Sequence, residues 1–505
     1  MRRRLWTAAY ALVVLLFLRH LASLWLAYVG FTPWIQFGSL TTTPPLRMLE
    51  NVDFFVHDNW GYDGQYYAQM ACNPDLSDPE LRRSIDNLPY RARRILGCWV
   101  ASLMGGGDPW WTLQAYALQP VLAWLGLAVL LLRWYPPGSL DHGLRWSLTL
   151  LSWGLVGGIY QTVPDGPALL LIVAALMLLE RGRRGWALLL VGLAGLTRET
   201  SLLALVMFLP RFGEGRRRWL LSALEVLLGA LPLVLWLTFL KWGLQLSQDA
   251  GTANFAFPGQ GWWGRLQEVW ALDMQSLHAP LYLCTRLAFV ALTLQALVVM
   301  ARPRLNDSAW RLGAVHVGLM LLLGEAVWEG HPGAALRVLL PLTLVFNRLV
   351  PRGRGGMALL LLGNLSCAVH VVLPRQPERP GLTLRHHLHR EVQVKYNPHW
   401  VPSRTRQGLP RCSTSRIHSE ILLMHRGSSP LSLEWTGRLR CSAPARVSWE
   451  LDGVLLWHGE VGPDEVSFRL PRLLLGPGQQ AIQLQLDAPP GSWLHLIDHV
   501  VEVKD

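Results

Sequence analysis

The stretch "WALLLVGLAGLTRETSLLALVMFLP", residues 186–210, decides the topology of this chain. Arginine-rich segments flank it on both sides, with "RGRR" at 181–184 and "RFGEGRRR" at 211–218. Arginine-rich ends of membrane segments stay in the cytoplasm, so a single crossing would leave one of the two on the wrong side. We therefore predict that the chain turns back within this stretch.

The charged residues in "TRET", Thr197–Thr200, mark the turn. Each arm beside it has about twelve residues, which is about 18 Å of helix and is shorter than the hydrocarbon core of about 30 Å. The sequence predicts a helical hairpin whose tip, with Arg198 and Glu199, lies inside the protein toward the outer face. Ionisable side chains at that depth are costly and usually functional.

The composition is that of a membrane protein. The chain has 505 residues, of which 51% are hydrophobic and only 16% are charged, and this excludes an ordinary soluble globule. The net charge is +12, but the arginines form short clusters between apolar runs, which argues against binding of nucleic acid. The first apolar run, Leu5–Val29, is too long for a signal-peptide core, so we predict a retained first span.

Apolar runs and arginine clusters together predict about eleven apolar segments in a polytopic α-helical membrane protein. Besides the first run and the two hairpin arms, the segments are Trp111–Leu132, Trp146–Ile159, Ala168–Leu179, Trp219–Leu240, Pro280–Val299, a run ending at Gly324, Ala335–Phe346 and Met357–Val372. They define a predicted transmembrane domain, 1–373, with a first outer loop at about 30–110. Counting the crossings places everything after it outside the cytoplasm.

The end of the chain predicts a separate β domain. Residues 374–411 are rich in Pro, Arg and His and are interpreted as a linker. From 412 to 505 the hydrophobic period becomes two: "RVSWELDGVLLWHGEV", 446–461, alternates on both sides of Asp452-Gly453, which is a strong hairpin signal. "EVSFRLPRL" and "AIQLQLDAP" add further strands. We predict an extracytoplasmic antiparallel β-sandwich.

The first outer loop contains "HDNWGYDGQYYAQMACNP", 57–74, with the acids Asp58 and Asp63 among aromatic and amide side chains. Asp63 precedes a predicted helix on which Tyr66 falls. One interpretation is structural, in which Asp63 only caps this helix and the aromatic residues belong to the belt at the membrane surface. The other is that these acids carry chemistry.

Further charged residues fall at the same predicted depth. They are Asp165 in the second outer turn, Arg198 and Glu199 at the hairpin tip, and His331 and Arg337 around a late outer loop. A carboxylate beside arginines suits transfer chemistry on a phosphate-bearing lipid, because the acid takes a proton from an acceptor hydroxyl and the arginine fork holds the leaving phosphate. For Arg337, anchoring a helix end is an equal alternative.

Four motifs resemble a known family. "GYDGQYYAQMACNP" at 61–74, "DNLPYRARRIL" at 86–96, "PDGPALLL" at 164–171 and "LAGLTRETSLL" at 193–203 resemble the bacterial integral membrane proteins grouped with cell-surface glycopolymer formation. That group is similar in turn to the GT-C superfamily of glycosyltransferases. The resemblance covers roughly residues 5–375, and the first two motifs are its most specific part.

The resemblance implies a GT-C-like enzyme of the bacterial inner (plasma) membrane. It would move a sugar from a polyprenyl-phosphate-linked donor to a glycan or lipid-glycan acceptor on the outer face. The residues implied are Asp63 as catalytic base, Asp58 as its neighbour, Asp165 as an assisting acid, Tyr62, Gln65 and Tyr66 in the substrate pocket, and Arg91, Arg94 and Arg198, with Glu199, at the lipid phosphate. Contact of Arg91 and Arg94 with anionic headgroups is an equal alternative.

No metal or other cofactor is expected. The first loop lacks the paired acids of several GT-C families, and a carrier monophosphate can leave without a metal. The histidines His386, His387 and His389 have no carboxylate or cysteine framework and are interpreted as surface residues.

The cysteines leave two alternatives open. Cys72 with Cys98, and Cys412 with Cys441, lie on the predicted oxidising side and either pair or remain free thiols.

Two other functions compete with the enzyme. One is a transporter or flippase for lipid-linked sugars, although such proteins usually contain matching repeats, which this sequence does not show. The other is a non-catalytic component of a surface-polymer assembly system, in which the acids would tolerate substitution.

Overall fold

The computed structural model describes residues 2–25, 29–38, 41, 43–49, 52–57, 59–246, 254–276, 278–373, 392–396, 401–404, 410–414, 418–425, 431–475, 478–489, 492 and 494–504. Contacts divide the chain into two units. The first, here the helical unit, is Met1–Phe54 with Trp60–Gln376, and the second, the β unit, is Phe55–Asn59 with Pro377–Asp505.

The described α-helices are α1 Arg2–Ser23, α2 Gly64–Cys72, α3 Leu81–Ser84, α4 Leu88–Arg91, α5 Leu96–Gly105, α6 Pro109–Leu131, α7 Leu140–Leu150, α8 Trp153–Tyr160, α9 Asp165–Glu180, α10 Arg184–Thr197, α11 Arg216–Trp242, α12 Gln260–Ala271, α13 Ala279–Met300, α14 Ser308–Leu322, α15 Glu325–Trp328, α16 Ala335–Val338, α17 Leu340–Leu349, α18 Arg354–Leu362 and α19 Val369–Val372. Described 3-10 helices occupy Thr32–Trp34, Arg47–Leu49, Glu199–Phe208 and Leu365–Ala368.

The described strands are β1 Phe37–Gly38, β2 Val56–His57, β3 Val392–Tyr396, β4 Val401–Arg404, β5 Pro410–Thr414, β6 His418–His425, β7 Leu431–Cys441, β8 Ala445–Leu451, β9 Val454–Val461, β10 Val466–Arg469, β11 Leu473–Leu475, β12 Gly478–Asp487 and β13 Leu494–Lys504.

The helical unit is that of a multi-pass membrane protein. Among the described residues, the helices long and apolar enough to cross a membrane are Arg3–Ser23, Pro109–Leu131, Arg216–Trp242 and Ala279–Met300. The pair Arg354–Leu362 and Leu365–Val372, bent by 59°, forms a fifth candidate span. Other predicted segments appear as shorter apolar helices, including the two hairpin arms.

The hairpin predicted at "TRET" is confirmed. Helix α10 ends at Thr197, Arg198 is extended with φ −156° and ψ 126°, and a 3-10 helix begins at Glu199. The two arms pack closely, since a Cβ atom added at Gly195 would lie 2.7 Å from the Leu202 side chain. The second arm is a 3-10 helix, which the sequence did not predict.

The single span predicted at Trp146–Ile159 is wrong, because the chain forms two helices there, α7 and α8. Side chains satisfy the carbonyl groups freed at the break: Trp124 Nε1 donates to the Leu150 carbonyl at 2.8 Å, and His370 Nε2 donates to that of Leu151 at 2.8 Å. A helix break in apolar surroundings is tolerated when its backbone groups are bonded in this way.

The β unit contains two antiparallel sheets, which confirms the predicted sandwich. Their strand orders are β3-β6-β12-β8-β9 and β10-β7-β13-β5-β4, with β11 also paired to β7. Trp435 and Trp449 are fully buried in its core, with ring centroids 5.4 Å apart. The predicted hairpin is the β8–β9 pair, turned by Asp452 and Gly453 at φ 52° and 79°, as a two-residue hairpin turn requires.

The β unit begins earlier than predicted, because β3 and β4 lie within the segment 374–411 interpreted as a linker. Cys72, Cys98 and Cys441 are free thiols, so neither pairing occurs through them. The side chain of Cys412 and the residues His386, His387 and His389 lie outside the described part of the chain.

Candidate active site

Helix α2 begins where the first outer loop touches the second outer turn. Gly64, its first residue, lies so close to neighbouring backbone that an added Cβ atom would be 2.5 Å from the Gln161 carbonyl oxygen and 2.7 Å from that of Ile35. Any larger residue would push the two segments apart. The glycine of "YDG" therefore allows the Asp63 segment to lie against the turn that leads into Asp165.

Asp63 forms an ion pair rather than a helix cap. Its Oδ1 atom is 2.9 Å from Arg91 Nη1, its side chain is 33% exposed, and it makes no capping hydrogen bond to α2. Burial opposes ionisation, but the charges of Arg91, Arg337 and Arg94 outweigh it and hold the pKa of Asp63 below its ordinary value. Asp63 is thus an ionised, partly accessible carboxylate at neutral pH.

Arg91 is held by a second acid and by aromatic rings. Its Nε and Nη2 atoms donate to the two carboxylate oxygens of Asp86 at 3.1 and 2.8 Å. Its guanidinium carbon lies 5.0 Å from the ring centroid of Tyr66 and 5.5 Å from that of Tyr90, within cation–π range. Arg91 therefore shares its charge between two carboxylates in a fixed orientation.

Arg94 connects the first outer loop to the hairpin tip. Its Nε atom donates to Glu199 Oε2 at 2.9 Å, across more than a hundred residues of sequence. Its remaining nitrogens donate to the hydroxyl oxygens of Tyr67 at 2.8 Å and Tyr90 at 2.7 Å. All three guanidinium nitrogens are therefore used, and the hairpin tip is fixed against helix α2.

Asp165 is the most deeply buried acid of the group, with a side chain that is 1% exposed. Arg198 Nη1 donates to its Oδ1 atom, and Arg337 Nη1 lies 3.6 Å from its Oδ2 atom. Arg337 also donates from Nη2 to the Tyr62 hydroxyl oxygen at 2.5 Å, and its guanidinium lies over the Tyr62 ring at 5.1 Å. Since Tyr62 precedes Asp63, these contacts connect Asp165 to the first outer loop.

These residues form one contiguous group, here called the outer charge cluster. It contains four arginines and four acids, which are Arg91, Arg94, Arg198, Arg337, Asp63, Asp86, Asp165 and Glu199. Their formal charges therefore balance. The cluster joins four parts of the sequence: the first loop, the second outer turn, the hairpin tip and the segment of α16.

Two buried polar atoms in the cluster lack hydrogen-bond partners among the described residues, namely Asp165 Oδ2 and Arg198 Nε. Asp165, Arg198 and Arg337 line a cavity of about 10 Å³, which is the size of one water molecule. Arg198 therefore keeps donor capacity beyond its bond to Asp165.

Not every predicted residue joins the cluster. The amide of Gln65 is used structurally, accepting from the Gly38 N–H at 3.1 Å and donating to the Trp60 carbonyl at 3.3 Å. His331 lies 3.3 Å from Thr285 Oγ1, and the described contacts do not connect it to the cluster. Asp58 lies outside the described residues.

No role was predicted from the sequence for three residues of the site, Asp86, Tyr90 and Tyr67. Asp86 and Tyr90 lie in the same quoted motif. Tyr90 precedes Arg94 by one helical turn, and Tyr67 follows Asp63 by one turn. This one-turn spacing is the sequence signal that could have placed the two tyrosines near the charged residues. Pairing between these residues depends on helix ends whose positions the sequence does not specify.

No protein-family model matches the chain, and no curated protein matches it either. Among solved structures, the chain is similar to the arabinosyltransferase EmbB from Mycobacterium smegmatis, with 13% identity, 87% of this chain and 62% of that chain covered, and a TM-score of 0.29.

Part of the chain is also similar to carbohydrate-binding modules. One is the CBM36-1 domain of a multidomain xylanase from the hindgut metagenome of Trinervitermes trinervoides, with 15% identity, 23% of this chain and 97% of that chain covered, and a TM-score of 0.18. Another is CsCBM6-3 from Clostridium stercorarium in complex with cellobiose, with 14% identity, 24% and 92% covered, and a TM-score of 0.17.

Proposed function

We propose that this protein is a GT-C-like glycosyltransferase of the bacterial inner membrane. It moves a sugar from a polyprenyl-phosphate donor to a glycan or lipid-glycan acceptor outside the cytoplasm, in cell-surface glycan assembly. The observation that carries the proposal is that the ionised, partly exposed Asp63 pairs with Arg91 in a cluster that contains three further largely buried arginines. The crossing count supports an extracytoplasmic position for this cluster and for the β unit.

Asp63 acts as the general base. It accepts the proton of an acceptor hydroxyl, and the resulting oxygen attacks the anomeric carbon from the face opposite the carrier phosphate. The bond between that carbon and the phosphate oxygen breaks, and its electron pair leaves with the phosphate. The configuration inverts in a single step, and arginine charges rather than a metal stabilise the leaving phosphate.

The arginines have separate roles in binding the phosphate and positioning the site. Arg198 is assigned to the carrier phosphate, because its Nε atom has no hydrogen-bond partner among the described residues. The cavity beside it has room for one water molecule, so donor binding must widen this cavity. Asp165, which is buried between Arg198 and Arg337, orients both arginines and is too enclosed to take the acceptor's proton. Arg91 keeps Asp63 ionised, and Arg94 fixes the hairpin tip through Glu199.

Reconstitution tests the proposal. The full chain in liposomes is supplied with labelled polyprenyl-phosphate sugars and a lipid-glycan acceptor. We expect Asp63→Asn to lower transfer by about 10²–10⁴-fold, the usual contribution of a general base. The matched control is Asp53→Asn, because Asp53 is an exposed acid of the same loop, and it should keep the wild-type rate.

Transfer that survives Asp63→Asn unchanged would remove the catalytic assignment. Movement of the labelled lipid across the bilayer without transfer would assign the protein to transport instead.

A further inference from the structure

A second charged region lies at the opposite end of the helices that build the outer charge cluster. Helix α9 runs from Asp165 to Glu180, and α10 returns from Arg184 to the hairpin tip. A helix of this length spans about 24 Å, so the two regions are separate sites. At this far end is a cleft of about 380 Å³.

Arginines outnumber acids along this cleft, here called the inner arginine cleft. Its charged lining residues are Arg184, Arg211, Arg218, Arg311, Arg348, Glu180, Glu214 and Asp307. Glu225 does not line the cleft but pairs with Arg184 at 2.5 Å. When it is counted, five positive charges against four negative ones leave a formal charge of +1. The outer charge cluster, by contrast, is balanced.

The surplus belongs to identifiable side chains. Arg311 donates only to backbone carbonyls, including that of Pro210 at 2.8 Å, and no described carboxylate pairs with Arg311 or Arg211. Backbone carbonyls orient a guanidinium but do not neutralise its charge. Arg211 and Arg311 are therefore cleft arginines with no described carboxylate within ion-pair distance, although Glu214 and Asp307 line the same cleft.

Arg348 provides an independent indication of a ligand. Its Nη2 atom pairs with Glu180 at 2.5 Å, and its guanidinium lies 4.3 Å from the ring centroid of Trp134. Its Nη1 atom is buried and has no hydrogen-bond partner among the described residues. An arginine fixed on two sides with one unused nitrogen is prepared to donate to an anion.

We infer that the inner arginine cleft binds a phosphate-bearing anion. Guanidinium forks match phosphate oxygens in geometry and charge, and the cleft has room for a phosphate headgroup. The arginine-rich flanks predict that this end faces the cytoplasmic leaflet, where anionic phospholipids supply such a group. A soluble phosphate compound has the same chemistry, and the experiment separates the two sources.

The first arm measures lipid retention. The full chain in detergent is mixed with phosphatidylglycerol or phosphatidylcholine, and bound lipid is counted by native mass spectrometry. We expect phosphatidylglycerol to be retained about tenfold more tightly, and the double variant Arg211→Gln/Arg348→Gln to lose about that factor. Arg302→Gln is the control, because Arg302 is an exposed arginine at the same end that does not line the cleft.

The second arm uses inorganic phosphate. The melting temperature of the same protein is compared in phosphate and in sodium chloride of equal ionic strength. A rise in phosphate that the double variant abolishes identifies a soluble ligand, whereas lipid retention without this rise identifies the headgroup.

The inference is overturned if neither arm responds, or if Arg302→Gln weakens binding as much as the cleft variants do. Arg211 is exposed, so the single variant Arg211→Gln should fold. Its affinity for phosphatidylglycerol should fall about threefold, which provides the test if the double variant does not fold.

Discussion

The two ends of helix α9 contain the same types of charged residue in different arrangements. At the outer end, Asp165 is 1% exposed and lies between two arginines. At the inner end, Glu180 is 27% exposed and pairs with Arg348 in a cleft where arginines are in excess. Enclosed and balanced charges give a fixed site for chemistry. Open and unbalanced charges give a place for an anion.

The largest expected difference between the two ends is in stability. Asp165→Asn leaves two buried arginines without their carboxylate and should lower the free energy of unfolding by about 3–5 kcal/mol. Glu180→Gln removes a partly exposed ion pair and should cost about 0–1 kcal/mol. Titration with sodium dodecyl sulfate in mixed micelles measures both. Equal losses in the free energy of unfolding would contradict the proposed difference between the two ends of α9.

The next effect concerns how the outer end is assembled. Helix α8 approaches the segment that carries Arg337 so closely that a Cβ atom at Gly154 would lie 2.3 Å from the Leu336 carbonyl oxygen. Gly154→Ala should therefore cost about 1–3 kcal/mol and lower sugar transfer.

The control for Gly154→Ala is on the same helix. A Cβ atom at Gly157 would meet its nearest neighbour, in Trp153, at an ordinary 3.8 Å. Gly157→Ala should leave stability unchanged or raise it slightly, because alanine favours the helix. If both variants behave alike, close packing at Gly154 does not position Arg337.

A smaller effect is expected from a single hydrogen bond of the outer cluster. Tyr67→Phe removes the acceptor of Arg94 Nη1 and should cost about 1.5 kcal/mol, since the bond involves a charged group. Tyr282→Phe is the control, because the described contacts give the Tyr282 hydroxyl no hydrogen bond, and it should change stability by less than about 0.5 kcal/mol. Thermal or detergent unfolding compares them, and an equal loss would contradict the role of Tyr67.

The smallest effect is a change in pH dependence. Arg91 is the main charge that lowers the pKa of Asp63 against the opposing effect of burial. Transfer requires the ionised carboxylate, so the wild-type rate should fall only below the ordinary aspartate pKa of about 3.9. In Arg91→Gln the pKa of Asp63 rises, because its main neighbouring positive charge is gone. The acid limb of the rate profile should therefore move toward neutral pH.

Arg93→Gln is the matched control for the pH profile. Arg93 is the next arginine of the same motif, and no ion pair connects it to Asp63 in the described structure. An acid limb that moves equally in both variants, or in neither, would show that Arg91 does not set the charge state of Asp63.

The sequence predicted the features that depend on charge and hydrophobic period. The conflict between two arginine-rich flanks located the turn at Arg198, and alternation around Asp452-Gly453 located a hairpin of the β unit. The predicted depth in the membrane was enough to place Asp63, Asp165 and Arg198 in one region, because all three were predicted near the outer face.

The partners of these residues could not be predicted in the same way. The bond of Arg94 to Glu199 joins the short segment between α4 and α5 to a 3-10 arm, and neither has a strong sequence pattern. His331 has the right predicted depth, yet the described contacts place it beside Thr285. Depth restricts one coordinate of a side chain and leaves its position within the membrane plane open.

The most direct test of the account compares one variant from each end in single-turnover sugar transfer. Asp63→Asn in the outer cluster and Arg211→Gln in the inner cleft are reconstituted with saturating labelled donor, after folding and donor binding have been verified. We predict that Asp63→Asn retains donor but slows transfer by at least about 100-fold, whereas Arg211→Gln stays within about twofold of the wild type. Transfer at the wild-type rate in Asp63→Asn, or an equal loss in both variants, would contradict the assignment of the reaction to the outer charge cluster.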